Sequence, residues 1–157
     1  MNDPVAIGRL GRRLYNEGNY KGAFQHYKKA AELGDVDAQY ILSCMFRDGE
    51  GVEKDKKKEV YHLEEAAIAG HTFARHNLAI FELNNGRMDR VVKHLIINAK
   101  LGDDMSVEGL KENYADGLVS KEDFAVALRA HQAAIDATKS TQRDKAAEYE
   151  IFRSTSG

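Results

Sequence analysis

The sequence has no tryptophan, one cysteine (Cys44) and one proline (Pro4) among its 157 residues. A single cysteine excludes an internal disulfide and any cysteine-rich metal site. Set among Tyr40, Ile41, Leu42 and Met45, it reads as an ordinary buried thiol in a helix, in keeping with a reducing compartment. So little proline, with so much Ala, Leu, Glu and Lys, leaves nothing to punctuate many strands, and the expectation is helix throughout. Charge of one sign is also missing. The 23 Lys and Arg against 25 Asp and Glu leave a net charge of -2, which gives no general attraction to nucleic acid or anionic lipid. The basic stretch Lys54 to Lys58 contains Asp55 and is followed by Glu59, so it reads as a solvated loop. No apolar run reaches the ~20 residues of a membrane span, and the opening MNDPVAIGRLGRR lacks the apolar centre of a secretion signal. A cytoplasmic or nuclear location, with no membrane partner, is the expectation. No G-x-S-x-G, H-E-x-x-H or phosphate-cradling glycine loop is present, so no catalytic, cofactor-binding or metal-binding residue and no enzyme activity is expected.

What the chain does have is self-similarity. The segments AELGDVDAQYIL, AIAGHTFARHNL and AKLGDDMSVEGL align, with Gly34, Gly70 and Gly102 spaced 36 and 32 residues apart. Ala38, Ala74 and Ser106 keep the same intervals, as do Leu42, Leu78 and Leu110. Ala6 and Leu10 hold the matching places in a first unit, and Ala31, Ala67 and Ala99 each stand three residues before a closing glycine. A second glycine inside each unit (Gly18, Gly49 with Gly51, Gly86, Gly117) marks a turn between two helical stretches. A period in the thirties built from two helices is that of stacked helical repeats, in which each hairpin covers the next because none can bury its apolar face alone. The predicted fold is all-α: an α-solenoid of about four antiparallel hairpins over 4–34, 35–70, 71–102 and 103–139, with a C-terminal capping helix over 141–153, in one domain spanning 1–157. Asp3 and Pro4 suit an N-cap and first helical position, and Ser120-Lys121-Glu122-Asp123 a capping box.

These residues resemble the Sel-1-like repeat family, a relative of the tetratricopeptide repeats, with the pattern A-x-x-x-L-G-x-x-Y-x-x-G-x-G-V, then K-A, then W-Y-x-K-A-A-x-x-G. The second unit matches best, with Ala38, Leu42, Phe46, Gly49, Gly51, Val52, Asp55, Ala66, Ala67 and Gly70 in the expected places. The first and third units have shorter turns, and His26, His62 and His94 fill the tryptophan column. The resemblance implies a scaffold or adaptor with a superhelical concave surface lined by the first helix of each pair, and it leaves the partner open.

The histidine column is not expected to bind metal. Zinc needs nitrogens ~2.0–2.1 Å away, whereas stacked helices lie ~8–10 Å apart. For protein binding, 100° per residue places on the outward face of the first helices Arg12 and Tyr15, Tyr40 and Arg47, His76, Ile80 and Leu83, and Glu108 and Glu112. Tyr15, Tyr40, Ile80 and Leu83 would form an apolar strip between basic and acidic ends, suited to a peptide or protein surface. Two other readings stand beside it: the strip is core between stacked helices, or it joins identical chains into a homo-oligomer. The region could also select targets for a larger multidomain protein.

Overall fold

The computed structural model describes residues 3–155, and side chains as far as residue 150; the ends of the expected 1–157 span lie outside the described residues. Among them are eight helices and no strand: α1 (Pro4–Asn16), α2 (Tyr20–Glu32), α3 (Val36–Asp48), α4 (Lys56–Ile68), α5 (Thr72–Asn84), α6 (Met88–Lys100), α7 (Asp104–Ala115) and α8 (Lys121–Thr155). The fold is all-α, as the sequence predicts, and the helices gather into two compact units, Met1–Gly86 and Arg87–Gly157. The division falls in the turn of the third expected hairpin, so α5 belongs to the first unit and α6 to the second.

In the first unit, α1 packs on α2, α3 on α4, and the hairpins stack through α2 against α3 and α4 against α5. The same turn makes both junctions. Gly34 and Gly70 each sit at φ 92°, in the left-handed region open to glycine. The next residue sends its amide back to Ala30 O or Ala66 O and caps the following helix. Asp35 accepts from the Ala38 amide at 2.9 Å, and His71 does so through Nδ1 from the Ala74 amide at 3.1 Å. That acceptor role puts the His71 proton on Nε2, which lies 3.5 Å from Asp37. The turn delivers Ala38 and Ala74 (1% and 0% exposed) against the closing alanines Ala31 and Ala67, where a larger side chain would hold the helices apart. Leu42, Leu63, Leu78, Met45, Ala23 and Ala66 complete the cores. Ala6, the corresponding residue of α1, is exposed.

The second unit uses the same junction. Gly102 is again at φ 92°, Asp103 caps α7 through the Ser106 amide at 2.8 Å, and Ser106, Leu110 and Ala99 are buried. Helices α6, α7 and α8 pack on one another, with Ala127 fully buried and Tyr114 stacked on Phe124. Asp3 caps α1 with Pro4 at the first position, as expected. At α8, Ser120 accepts from the Asp123 amide while its own hydroxyl donates to the Asp123 carboxylate, a variation on the capping box. One expectation is corrected: 141–153 is helical but is no separate capping helix, because α8 runs unbroken to Thr155. Nothing between Ala137 and Thr141 is glycine or proline, and the Thr138 and Thr141 hydroxyls bond back to Ala134 and Ala137 carbonyls without ending the helix.

The Gly-x-Gly-Val loop of the second hairpin binds the first. Gly51 is at φ 71°, and a Cβ there would overlap the Tyr20 carbonyl oxygen. Between the glycines, Glu50 accepts a hydrogen bond from the Tyr15 hydroxyl. Gly18 has a similar φ of 78° but open space around it. Gly18→Ala is therefore expected to cost only the left-handed penalty of about 1–2 kcal/mol. Gly51→Ala adds a backbone clash and is expected to cost at least ~2 kcal/mol more. Urea unfolding of both variants checks this order.

Candidate protein-binding site

The strip residues of the first unit divide into those held by the fold and those left open. Tyr15 is half-buried and committed to Glu50, whose carboxylate raises the tyrosine to about 12 by accepting its proton in a hydrogen bond, with burial adding to the effect. Arg47 holds Asp48 through Nε and Nη2 (3.0 and 2.9 Å), which raises the guanidinium and lowers the Asp48 carboxyl. Arg12 is exposed, with its guanidinium against the Tyr27 hydroxyl. Tyr40 is half-buried, stacked on His71 at 4.5 Å, with Asn77 of α5 3.5 Å from its hydroxyl; burial raises its pKa. His76 is half-buried, and on the same helix Ile80 and Leu83 stand 44% and 51% exposed. The first-helix face of α3 and α5 thus carries a fixed aromatic ring and two open aliphatic side chains. Glu108 and Glu112 lie exposed on α7 of the second unit, where Glu108 pairs with Lys111 at 2.6 Å.

Sequence reasoning missed a second feature. On the side of the second helices, a cleft of about 550 Å³ opens between α2 and α4, floored by α3. Leu42, Phe46, Ala31, Phe24 and Val52 give it an apolar base, and Lys28, Glu32, Lys58, Tyr61 and His62 stand along its sides. Phe46 is the keystone: it meets Phe24 edge-on at 5.5 Å, stacks on His62 at 5.4 Å and lies under the Lys58 ammonium at 5.4 Å. His62 Nδ1 is 2.7 Å from Gln39 Oε1. The sequence signal was the histidine in the tryptophan column, since a smaller ring at 62 leaves room that the larger one would occupy. Its counterpart His26 bonds the Gly22 carbonyl of its own helix at 2.8 Å. No group of three or more His, Cys, Asp or Glu side chains able to hold a metal occurs among the described residues.

Left-handed glycine turns, buried small-residue columns and stacked α/α hairpins define a helical-repeat protein. The Sel1 repeat model matches residues 4–35 and 36–71, so the first two hairpins of this chain are Sel1 repeats. The chain is 33% identical over 170 aligned positions to the mouse protein named DAP3-binding cell death enhancer 1, an alignment covering 83% of this chain and 33% of that protein. It is also 33% identical over 67 positions to chitin synthase regulatory factor 2 of Schizosaccharomyces pombe (43% of this chain, 13% of that protein). The chain thus spans a third or less of these relatives. A Sel1 repeat protein from Oxalobacter formigenes superimposes with TM-score 0.68 at 23% identity, over 87% of this chain and 59% of the other. A protective antigen of uropathogenic Escherichia coli strains, displaying an SLR fold, does so with TM-score 0.65 at 26% identity, over 87% and 31%. Sel1 repeats are generally protein-interaction scaffolds. No described helix is long and apolar enough to cross a membrane.

His62 generates a pH prediction. Burial lowers its pKa from the ordinary 6.5, and Glu65 opposes that shift only in part. The unfolded chain therefore binds more protons at this site below pH 6.5, so the stability contributed by neutral His62 is full above 6.5 and is lost as pH falls toward the lowered folded value. Urea unfolding at pH 7.5 and pH 5 should show wild type losing more stability on acidification than His62→Gln, whose amide stays neutral.

Proposed function

We propose that this chain is a protein-interaction adaptor that binds a peptide or protein surface on the first-helix face of its Met1–Gly86 unit. The observation that carries the reading is the exposure of the aliphatic side chains Ile80 and Leu83 on α5, the helix whose Asn77 meets the Tyr40 hydroxyl. Exposed aliphatic groups on a rigid helix supply affinity, and charges around them steer the encounter. Arg12 and Arg47 are the cations of this face; because Asp48 already engages Arg47, Arg12 has the larger share in steering. His76 and Tyr15 support the platform, the latter by tying α1 to the Glu50 loop. Glu108 and Glu112 offer acidic contacts on α7 in their own unit. The name of the mouse relative, which refers to binding of DAP3, supports a protein partner in general without naming this one. No cofactor enters the reading, and the location proposed is cytoplasmic or nuclear.

Self-association is the second reading, favoured by the same exposed pair, because a matching patch on an identical chain would cover it. An Ile80→Glu/Leu83→Glu double variant separates the two. The helical circular dichroism should be retained, since both side chains are solvent-facing. Quantitative affinity capture should lose at least one specific protein by about ten-fold, a change of about 1.4 kcal/mol. Light scattering of wild type as a dimer and the variant as a monomer, with no protein lost, would instead assign the face to self-association.

A further inference from the structure

The exposed stripe of α5 continues past Ile80 to the start of the helix. Phe73 and Ile80 are seven residues apart, so they project from the same side of α5, about 10.5 Å from each other along its axis. Both are open to solvent, at 65% and 44% exposed. At the Phe73 end an acidic group joins the stripe from the neighbouring hairpin. The Phe73 ring lies 6.2 Å from the His71 ring, and His71 Nε2 lies 3.5 Å from the Asp37 carboxylate, whose side chain is 78% exposed. An exposed ring and an exposed carboxylate are thus brought to one imidazole, which is itself fixed by Tyr40 stacked at 4.5 Å and by the Ala74 amide.

No cation of the chain answers Asp37. Its ion-pair contact is His71, and the stretches 30–46 and 59–74 contain neither Lys nor Arg. Arg75, the first cation beyond them on α5, is turned back onto the Ala67 carbonyl. The half positive charge of the α3 N-terminus is outweighed by two carboxylates, the cap Asp35 and Asp37.

We propose that the partner of this face presents an arginine to Phe73 and Asp37 and, about 10 Å further along α5, an aliphatic side chain to Ile80. The stem and guanidinium plane of an arginine lie across the Phe73 ring while its fork meets the carboxylate; a lysine ammonium has neither the plane nor the fork. The proposal rests on the adaptor reading for the contact at Ile80, and adds to it the chemistry and spacing of the partner.

The probe is the peptide acetyl-Arg-Pro-Pro-Leu-amide, in which a polyproline helix of about 3 residues per turn and ~3.1 Å rise sets Arg and Leu on one side, at close to the required spacing. It is titrated into the full chain while backbone amide resonances are followed. The expected result is saturable shifts at Asp37, Phe73 and Ile80. Binding should be about ten-fold weaker when Gln replaces Arg, and weaker also when Lys replaces it or when one Pro is removed. Asp37→Asn should bind the Arg and Gln peptides alike, and Phe73→Ala should erase the preference for Arg over Lys. Both variants change exposed side chains, and should either misfold, the peptide series on wild type still decides. No shifts up to millimolar peptide, equal binding of the Arg and Gln peptides to wild type, or an Asp37→Asn chain that keeps the preference for Arg would each overturn the proposal. Unchanged affinity in Ile80→Glu/Leu83→Glu would remove the apolar contact of the adaptor reading, while loss of the Arg preference in Asp37→Asn would still uphold the arginine site, so the two failures are distinguishable.

Discussion

Each junction between hairpins depends on one backbone conformation that only glycine adopts readily, followed at once by a side chain that can accept a hydrogen bond. Gly34, Gly70 and Gly102 share φ 92°, and Asp35, His71 and Asp103 each accept the amide three residues on. Reversal of the chain and the start of the next helix are therefore a single event, and the register of the following helix is set by it. With the register set, the small residues at 38, 74 and 106 fall where a neighbouring helix must approach closely. Replacing aspartate by histidine at 71 keeps the acceptor and adds a ring for Tyr40 to stack upon, which ties the platform of the first-helix face to the turn itself. The Gly49-Glu50-Gly51 loop works to the same end, with Gly51 lying against the Tyr20 backbone and Glu50 held by Tyr15.

This dependence explains what was legible in the sequence. The glycine, alanine and leucine columns carry the fold in plain sight, because every one of them answers a local backbone or packing demand that recurs with the repeat. The caps at Asp3 and Ser120 follow from residue type and position alone. The single proline and the abundance of Ala, Leu, Glu and Lys pointed to helix, but the extent of α8 did not follow from the repeat, whose frame suggested a stop near 139. Helix-forming residues across 137–145 prevailed over that frame.

The site was legible only in part. Angular placement correctly brought Ile80 and Leu83 to the surface, because a solvent-facing direction is a property of one helix. It could not reveal that the Tyr15 hydroxyl is engaged by Glu50, or that Arg12 turns toward Tyr27, because those contacts join residues on different elements. The cleft over Phe46 was hidden for the same reason: it is a gap among three helices, and each of its walls reads as an ordinary amphipathic surface. The histidine at 62 was its one trace, visible as a departure from the family pattern and intelligible only once Gln39 and Phe46 were beside it.

The central claim, that the exposed apolar face of α5 is where a protein partner docks, is tested most directly by site-specific photocrosslinking. A photoreactive phenylalanine analogue is placed at position 80, and as a control at the exposed position 64 of α4. After illumination in extract, the account predicts a discrete heavier adduct from position 80 that contains a second protein, with none from position 64. An adduct from position 64 alone, or an adduct from position 80 made only of this chain, would contradict it.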